Sequence, residues 1–306
     1  MLRRSGGAAA ADGSHTIHDL MKTSAYWTGQ CGMATAGIPG VRLMTSSDWI
    51  AEYDVAGENA DLFEGFSALY RRFNREGLGR DKTDVPSVGG IADSPVLYDE
   101  LRDGVYDGVA VYFVLVQEED GTRQTKAHRR KTVKAGWPLA FALVYRLWPK
   151  PEINPRGKLP LAYVCHLAAD ANFGGFGKML VNSLNRMFVE AVVCLEISID
   201  ESDVYSASRQ LAKMNLMGFY ESLGFISICN LEEGSLLRNF FAQAYKSKWM
   251  EIRVSGNKLI NLLDTDPTAG KWMVLPPAET LLASLVALTA PEKLGLYLSH
   301  AKKRRR

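Results

Sequence analysis

The sequence predicts a mixed α/β fold in which helices flank a central sheet. Val109–Val116 and Trp137–Leu147 are rich in β-branched, aromatic and other apolar residues, as buried strands are. In Asn59–Phe73, large apolar residues recur at the spacing of one helix face. In Leu161–Ile199, an apolar run, a glycine-bearing turn, a helical stretch and a second apolar run follow one another. This last order is that of a βαβ unit, so we expect a parallel pair of neighbouring strands with a right-handed crossover.

The N-terminal part is expected to contain a tail, a strand, a helix and a long loop. Residues 1–38 are rich in Gly, Ala, Ser and Thr without a sustained period, and we expect them to be disordered. Their Arg- and Ala-containing start also shares some character with organelle transit peptides. A short strand is predicted over Val41–Met44, before the helix at Asn59–Phe73. Residues 80–104 contain several prolines and glycines and are predicted to form a long loop.

Helix and strand signals alternate after the βαβ unit. A helix is predicted from about Tyr205 to Leu223, followed by strands over Phe225–Cys229 and Lys248–Val254. We therefore expect one domain over residues 39–256. Residues 257–306 are expected to form a C-terminal extension that carries an apolar helix near Leu281–Leu288 and ends in the basic tail AKKRRR.

Composition excludes several broad classes of protein. The 306 residues carry a net charge of +2, which argues against a general attraction to nucleic acid or to membranes. No run approaches the roughly 18 apolar residues of a membrane-spanning helix. The four cysteines show no CxxC or Cys/His metal spacing, so we expect no metal site and a reducing compartment. The expected location is cytoplasmic or nuclear, with organelle targeting by the N-terminus left open.

Positive charge is concentrated in two segments, residues 123–134 and the C-terminal KKRRR. Runs of charge usually lie on solvated surfaces, and this is the interpretation we favour for both. The alternatives are a contact with an acidic protein or nucleic acid for the loop, and a nuclear-localisation or phosphate-contacting role for the tail.

A glycine-bearing turn follows the apolar run that begins at Leu161. It consists of Asn172, Phe173, Gly174, Gly175, Phe176, Gly177 and Lys178, of which the last residues begin a helix. Glycines allow successive backbone N–H groups to point one way, and a helix start adds partial positive charge. Both features favour an anion, most usefully a phosphate.

A second motif, FYESLGF, occupies Phe219–Phe225 at the end of the predicted helix. Alone it is typical of an ordinary helix end, with Gly224 as a left-handed cap. Together with the turn at Asn172–Lys178 and the strand and helix between them, it resembles the GNAT superfamily of acyl-CoA-dependent N-acyltransferases. The resemblance covers about Val41–Val254.

The resemblance implies a mostly antiparallel central sheet with the parallel pair at the cofactor site and acetyl-CoA as co-substrate. It implies that the first strand of the pair bends at a bulge and that Cys165, His166 and Leu167 bind the pantetheine arm with their backbone. The backbone N–H groups of Asn172–Lys178 would bind the pyrophosphate. Tyr220 matches the tyrosine that protonates the leaving thiolate in many members, and the alternative is a tyrosine that only packs against the coenzyme.

The sequence departs from the family in two respects. Asn172 stands where the family has Gln or Arg. In addition, a strict period of two places Leu161, Tyr163, Cys165 and Leu167 on one face without a carboxylate and His166 on the other. Cys165 and His166 therefore should not pair with each other. The remaining candidates for the base are Glu196, Ser198 and Asp200 on the next strand, and Tyr163 acting through water.

We therefore predict an N-acetyltransferase in which a primary amine, on a small molecule or a protein, attacks acetyl-CoA directly. The identity of the amine is not readable from the residues. The alternative is a catalytically weak or inactive module of this fold that binds acyl-CoA or a protein partner, as the missing carboxylate suggests. A nucleic-acid-binding role, based on the two basic segments, is argued against by the net charge of +2.

Overall fold

A computed structural model describes most of the region between residues 24 and 276. The described residues are 24–35, 38–55, 57–73, 95–104, 110–147, 161–189, 191–197, 207–246, 251–253, 259–261, 266–267 and 272–276. The helices are α1 (Ser24–Thr35), α2 (Ser46–Tyr53), α3 (Ala60–Arg72), α4 (Pro95–Asp103), α5 (Phe176–Met187), α6 (Ala207–Glu221) and α7 (Leu236–Lys246). The strands are β1 (Val41–Thr45), β2 (Ala110–Gln117), β3 (Gly121–Gln124), β4 (Arg130–Val133), β5 (Pro138–Leu147), β6 (Leu161–Ala169), β7 (Val192–Glu196), β8 (Ile226–Ser227), β9 (Glu251–Arg253), β10 (Leu259–Asn261) and β11 (Trp272–Val274).

A seven-stranded sheet in the order β1-β2-β5-β6-β7-β11-β8 forms the centre of the molecule. Its neighbouring strands are antiparallel except β6 and β7, which are parallel and are joined through α5. The predicted fold class, a mostly antiparallel sheet with one parallel pair and flanking helices, is confirmed.

Apolar side chains cover both faces of this sheet. On one face, residues of α2, α3, α4 and α7 form a core with Phe141 of β5 and Tyr163 of β6. On the other, α1, α5 and the end of α6 pack against Ala140 and Val164. The sheet is thus the middle layer of three, and the site described below lies where two of its strands separate.

Local structure differs from expectation in three segments. Within residues 1–38, Ser24–Thr35 form α1 rather than a disordered chain, and Cys31 and Ala34 are buried. Because these residues are small, the apolar residues of α1 do not recur clearly at the spacing of one helix face. Packing against the rest of the protein, and not an amphipathic sequence pattern, therefore stabilises this helix. Within residues 80–104, Pro95–Asp103 form α4. The basic segment 123–134 overlaps the hairpin β3–β4, which begins at Gly121. The residues of this hairpin are mostly exposed and lack the apolar alternation that would predict strands.

Residues from the expected C-terminal extension belong to the central sheet. Trp272–Val274 form β11, which pairs with β7 on one side and β8 on the other. The sheet therefore extends beyond residue 256. The apolar helix expected near Leu281–Leu288, the basic tail and residues 1–23 lie outside the described residues. Among the helices that the structure describes, none has the length and apolar character needed to cross a membrane.

Candidate active site

The parallel strands β6 and β7 separate partway along their length. They pair from Leu161 opposite Val192 to Val164 opposite Leu195. Beyond this point β6 continues from Cys165 to Ala169 and, among the described strands, pairs only with β5. The backbone of this half of β6 therefore faces an opening between the two strands.

A β-bulge at Cys165 changes which side chains face this opening. Leu143 of β5 lies opposite His166, whereas its neighbour Val144 lies opposite Val164, so Cys165 is an extra residue. The insertion shifts the alternation of all residues that follow it. His166 consequently lies on the same face as Tyr163, where its ring centroid is 4.5 Å from that of Phe73.

The strict period-two assignment of the faces was therefore wrong for the end of β6. Leu167 packs against the core on the α5 side, and His166 lies on the α3 side with Leu161 and Tyr163. Cys165 also packs on the α3 side, so the two neighbours share a face. The resemblance implies a bulge in this strand, but the position of the bulge at Cys165 depends on pairing with β5, for which the residues of β6 alone carry no signal.

The opening is part of a cavity of about 700 Å³, a volume typical of sites for small molecules and cofactors. It is lined by residues of β6, β7, the glycine turn, α5 and the end of α6, together with Phe73 and the β3–β4 hairpin. The predicted site residues in its wall are Cys165, His166, Leu167, Phe173, Gly175, Phe176, Gly177, Lys178 and Tyr220. Asn172 and Gly174 are not in the wall.

His166 is held uncharged by its surroundings. Its Nδ1 is buried and has no hydrogen-bond partner among the described residues. Burial lowers the pKa of the imidazole to about 4, because the charged form loses hydration. A neutral imidazole therefore faces the cavity near neutral pH, with lone-pair capacity for a proton.

Three further polar side chains lie on this face of the opening. Burial is the main cause that raises the pKa of the Cys165 thiol to about 11; a hydrogen bond with Tyr163 opposes the rise, and the nearby charge of Glu196 adds to it. Burial, followed by interactions with Cys165 and Glu196, raises the pKa of Tyr163 well above its usual value. The thiol and the phenol therefore remain protonated beside the Glu196 side chain. Ser198 and Asp200, the other predicted candidates on this strand, lie outside the described residues.

The glycine turn presents an uncapped helix start to the cavity. Gly175 is the N-cap of α5 with a φ of 87°, and no described side chain caps the helix. By contrast, Thr45 caps α2 by accepting a hydrogen bond from the N–H of Asp48. A Cβ built on Gly174 or Gly175 would have no described atom within 4 Å. The first N–H groups of α5 are thus accessible to an anion.

Asn172 stabilises the turn from within. Its backbone N–H and its Nδ2 both donate to Oδ1 of Asp170, at 2.7 and 2.9 Å. Phe173 is buried in the core on the α5 side. The predicted phosphate role of the Asn172 N–H is therefore not available in this geometry, and the N–H groups nearer the helix remain.

Tyr220 reaches the cavity from the opposite side to His166. It is the penultimate residue of α6 and lies between the rings of Phe219 and Phe225. Only 7% of its surface is exposed, and burial raises its pKa to about 12. Its phenol is therefore protonated at any ordinary pH and is able to donate a proton but not to act as a base.

Several residues of the cavity wall were not singled out from the sequence, among them Arg72, Phe73 and Lys126. Arg72 and Phe73 follow the apolar helix pattern to its end, and Nη1 of Arg72 donates to the carbonyl of Ala169 at 2.9 Å. Lys126 belongs to the basic segment 123–134, and the sequence did not indicate where in the fold this charged segment would lie. The helix pattern and the run of positive charge could both be recognised in the sequence, but neither pattern indicates that these residues lie beside β6.

No protein-family model matches this chain, and a search of curated proteins finds no match. Among solved structures, the chain is similar to a protein described as histone acetyltransferase HPA2 and related acetyltransferase, from Corynebacterium glutamicum ATCC 13032. The identity is 16%, the match covers 71% of this chain and 91% of that chain, and the TM-score is 0.32. Similarity at this level carries no argument about activity.

Proposed function

We propose that this protein is an acetyl-CoA-dependent N-acetyltransferase that acts on a primary amine. The observation that carries the proposal is the combination, in one cavity, of a bulged and separated parallel strand pair with an uncapped, glycine-bearing helix start. The first can bind an extended amide-containing chain through backbone hydrogen bonds, and the second can bind a phosphate. Coenzyme A contains both groups in one molecule.

The described residues fit this co-substrate. The backbone of Cys165, His166 and Leu167 would bind the pantetheine arm, and the N–H groups of Phe176–Lys178 would bind the pyrophosphate. The open space at Gly174 and Gly175 leaves room for phosphate oxygens close to the backbone. The thioester is thereby assigned to the opening between β6 and β7.

His166 is our candidate for the proton acceptor. The acceptor amine has a pKa near 10 in water and must lose a proton to act as a nucleophile. As the C–N bond forms, the amine nitrogen becomes far more acidic, and the neutral imidazole can accept its surplus proton. Glu196, on the same face, would attract the cationic amine as it enters.

Tyr220 is our candidate for the proton donor. When the C–S bond breaks, the sulfur leaves as a thiolate that needs one proton. Tyr220 lies in the wall on the other side of the opening, and its hydroxyl would supply this proton. The cationic amine first loses one proton to bulk water, and the neutral amine then attacks. From that point one proton leaves nitrogen for His166 and one enters at sulfur from Tyr220. The imidazolium, with a pKa of about 4, returns its proton through solvent to the Tyr220 phenolate, so the transfer is balanced with one net proton released.

The test combines binding with turnover. Acetyl-CoA is expected to raise the melting temperature, because a ligand present at 100 times its Kd stabilises the native state by about 2.7 kcal/mol. Release of free thiol should then depend on an added primary amine and should not occur with a tertiary amine as control. No thermal shift at millimolar acetyl-CoA would overturn the proposal.

The second candidate function is a coenzyme-binding module without turnover. It is favoured by one observation, the low pKa of about 4 at His166, which makes this imidazole a weak base. A clear thermal shift with acetyl-CoA, but no thiol release across a broad panel of amines, would support this second function and exclude the first.

A further inference from the structure

The basic hairpin β3–β4 folds back onto the glycine turn instead of projecting into solvent. At its tip, the backbone N–H of Lys126 donates to the carbonyl of Asn172 at 2.7 Å. Asn172 is itself held by Asp170 through two hydrogen bonds. The position of Lys126 relative to the start of α5 is therefore defined by a continuous chain of backbone and side-chain contacts.

Arg123 secures the base of the same hairpin. Its guanidinium lies 5.1 Å from the ring centroid of Phe176, the first residue of α5. Its Nη2 donates to the carbonyl of Gly40 at 2.7 Å, and its Nε donates to Gln117. Arg123 thus has a structural role, and the cations that remain for a ligand are further along the hairpin.

Two lysines belong to this end of the cavity wall. Lys126 from the hairpin and Lys178 from the first turn of α5 both line the wall, and both side chains are exposed. Neither has a carboxylate partner among the ion pairs of the described residues. The acid at this end is Asp170, whose Oδ1 already accepts two hydrogen bonds from Asn172.

This arrangement suits a phosphomonoester better than a phosphodiester or pyrophosphate. A monoester carries a charge of about −1.5 to −2 at neutral pH, and lysine binds phosphate as a point charge. The uncapped N–H groups of α5 are a separate set of donors for the pyrophosphate. The two sets would therefore bind different parts of one ligand.

We propose that Lys126 and Lys178 form a phosphomonoester subsite that binds the 3′-phosphate of coenzyme A. This inference rests on the proposed function and adds to it a role for the β3–β4 hairpin, which would make the site selective for coenzyme A over its 3′-dephosphorylated form. The basic segment is then part of the ligand site and not only a solvated surface.

The experiment measures the affinities of coenzyme A and dephospho-coenzyme A for the full chain by isothermal titration calorimetry. The wild-type protein is expected to bind coenzyme A about tenfold more tightly, as two exposed charge contacts allow. Lys126→Ala should weaken binding of coenzyme A about threefold to fivefold and leave binding of dephospho-coenzyme A nearly unchanged. The preference should also decrease as salt concentration rises.

Lys131→Ala is the matched control, because Lys131 lies on the same hairpin but over the ring of Trp137 and outside the cavity wall. Equal affinities of the two ligands for wild-type protein would overturn the subsite while leaving the proposed function intact. An equal effect of Lys126→Ala and Lys131→Ala would also overturn it, since general electrostatic attraction would then explain the preference. Failure of both ligands to bind would overturn the proposed function and the subsite together.

Discussion

Cys165, His166 and Tyr220 all lose hydration in the cavity wall, and their protonation states follow from this loss. Burial raises the pKa values of the thiol and the phenol, to about 11 and about 12, and lowers that of the imidazole to about 4. All three groups are therefore neutral near pH 7. Proton transfer at this site would run from an acidified amine to His166 and from Tyr220 to a thiolate, without a side chain that is already ionised.

Burial of His166 should make the free energy of unfolding depend on pH below neutrality. The folded pKa of His166 lies below the unfolded value near 6.5, so between about pH 6.5 and 4 the unfolded chain binds a proton that the folded chain does not. The free energy of unfolding should therefore fall as pH decreases through this window, by about 2 kcal/mol between pH 7.5 and 5 from this group. Urea unfolding of wild-type protein and His166→Gln at both pH values measures this contribution.

His128→Gln provides the control, because His128 is exposed at the tip of the β3–β4 hairpin. This variant should keep the wild-type decrease, whereas His166→Gln should lose about 2 kcal/mol of it. An unchanged decrease in His166→Gln would show that the imidazole titrates normally in the folded protein.

Tyr220→Phe tests the proton donor. Removing the hydroxyl should lower kcat about 100-fold or more, as loss of a general acid does, and leave the Kd for acetyl-CoA nearly unchanged. Steady-state kinetics and calorimetry measure the two quantities, with Tyr245→Phe on α7, outside the cavity wall, as the control. A parallel loss of affinity and turnover would instead assign Tyr220 a packing role.

At the level of elements, the bulge in β6 and the glycine turn act on the same cavity in different ways. The bulge releases β6 from β7 and turns His166 toward the α3 side. The turn then reverses the chain direction through Gly175, whose φ of 87° is unfavourable for other residues. Both features interrupt the regular hydrogen bonding of secondary structure, and both leave backbone groups accessible from the cavity.

Comparing Gly175→Ala with Gly234→Ala distinguishes the effect of backbone strain on stability from an effect on ligand binding. The two glycines have φ values of 87° and 78° and no described atom near a built Cβ, but only Gly175 lines the cavity. Each alanine should lower the free energy of unfolding by about 1–2 kcal/mol. Only Gly175→Ala should also weaken acetyl-CoA binding, which calorimetry measures. Equal affinities of both variants for acetyl-CoA would contradict a phosphate site at this turn.

At the level of the whole molecule, β11 connects the edge strand β8 to β7 and the rest of the central sheet. It lies between β7 and β8, and its Trp272 is fully buried with its ring centroid 5.1 Å from that of Tyr163. The strand that supplies Glu196 to the cavity therefore has β11 as its second neighbour. The integrity of the site depends on a segment far from it in the sequence.

A chain that ends at residue 256 should consequently fail to fold cooperatively. It lacks β11, which leaves two strand edges and the surrounding apolar side chains exposed. Thermal unfolding followed by circular dichroism should show a broad transition for this chain and a sharp one for the full chain of 306 residues. A wild-type melting temperature in the shorter chain would support the domain of residues 39–256 as an independent unit.

The sequence by itself determined the types of most elements, their order, and the two motifs at Asn172–Lys178 and Phe219–Phe225, because these depend on local period, glycine content and helix ends. Tertiary structure decided the position of the bulge at Cys165, the face of His166, the insertion of β11 and the contact of Lys126 with Asn172. Each of these depends on the register between segments distant in the chain, and no local pattern of residues encodes a register with a distant partner. The sequence therefore identified the strand that contains His166, but it did not indicate that the His166 side chain lies on the same face as Tyr163, where we propose that it accepts the proton.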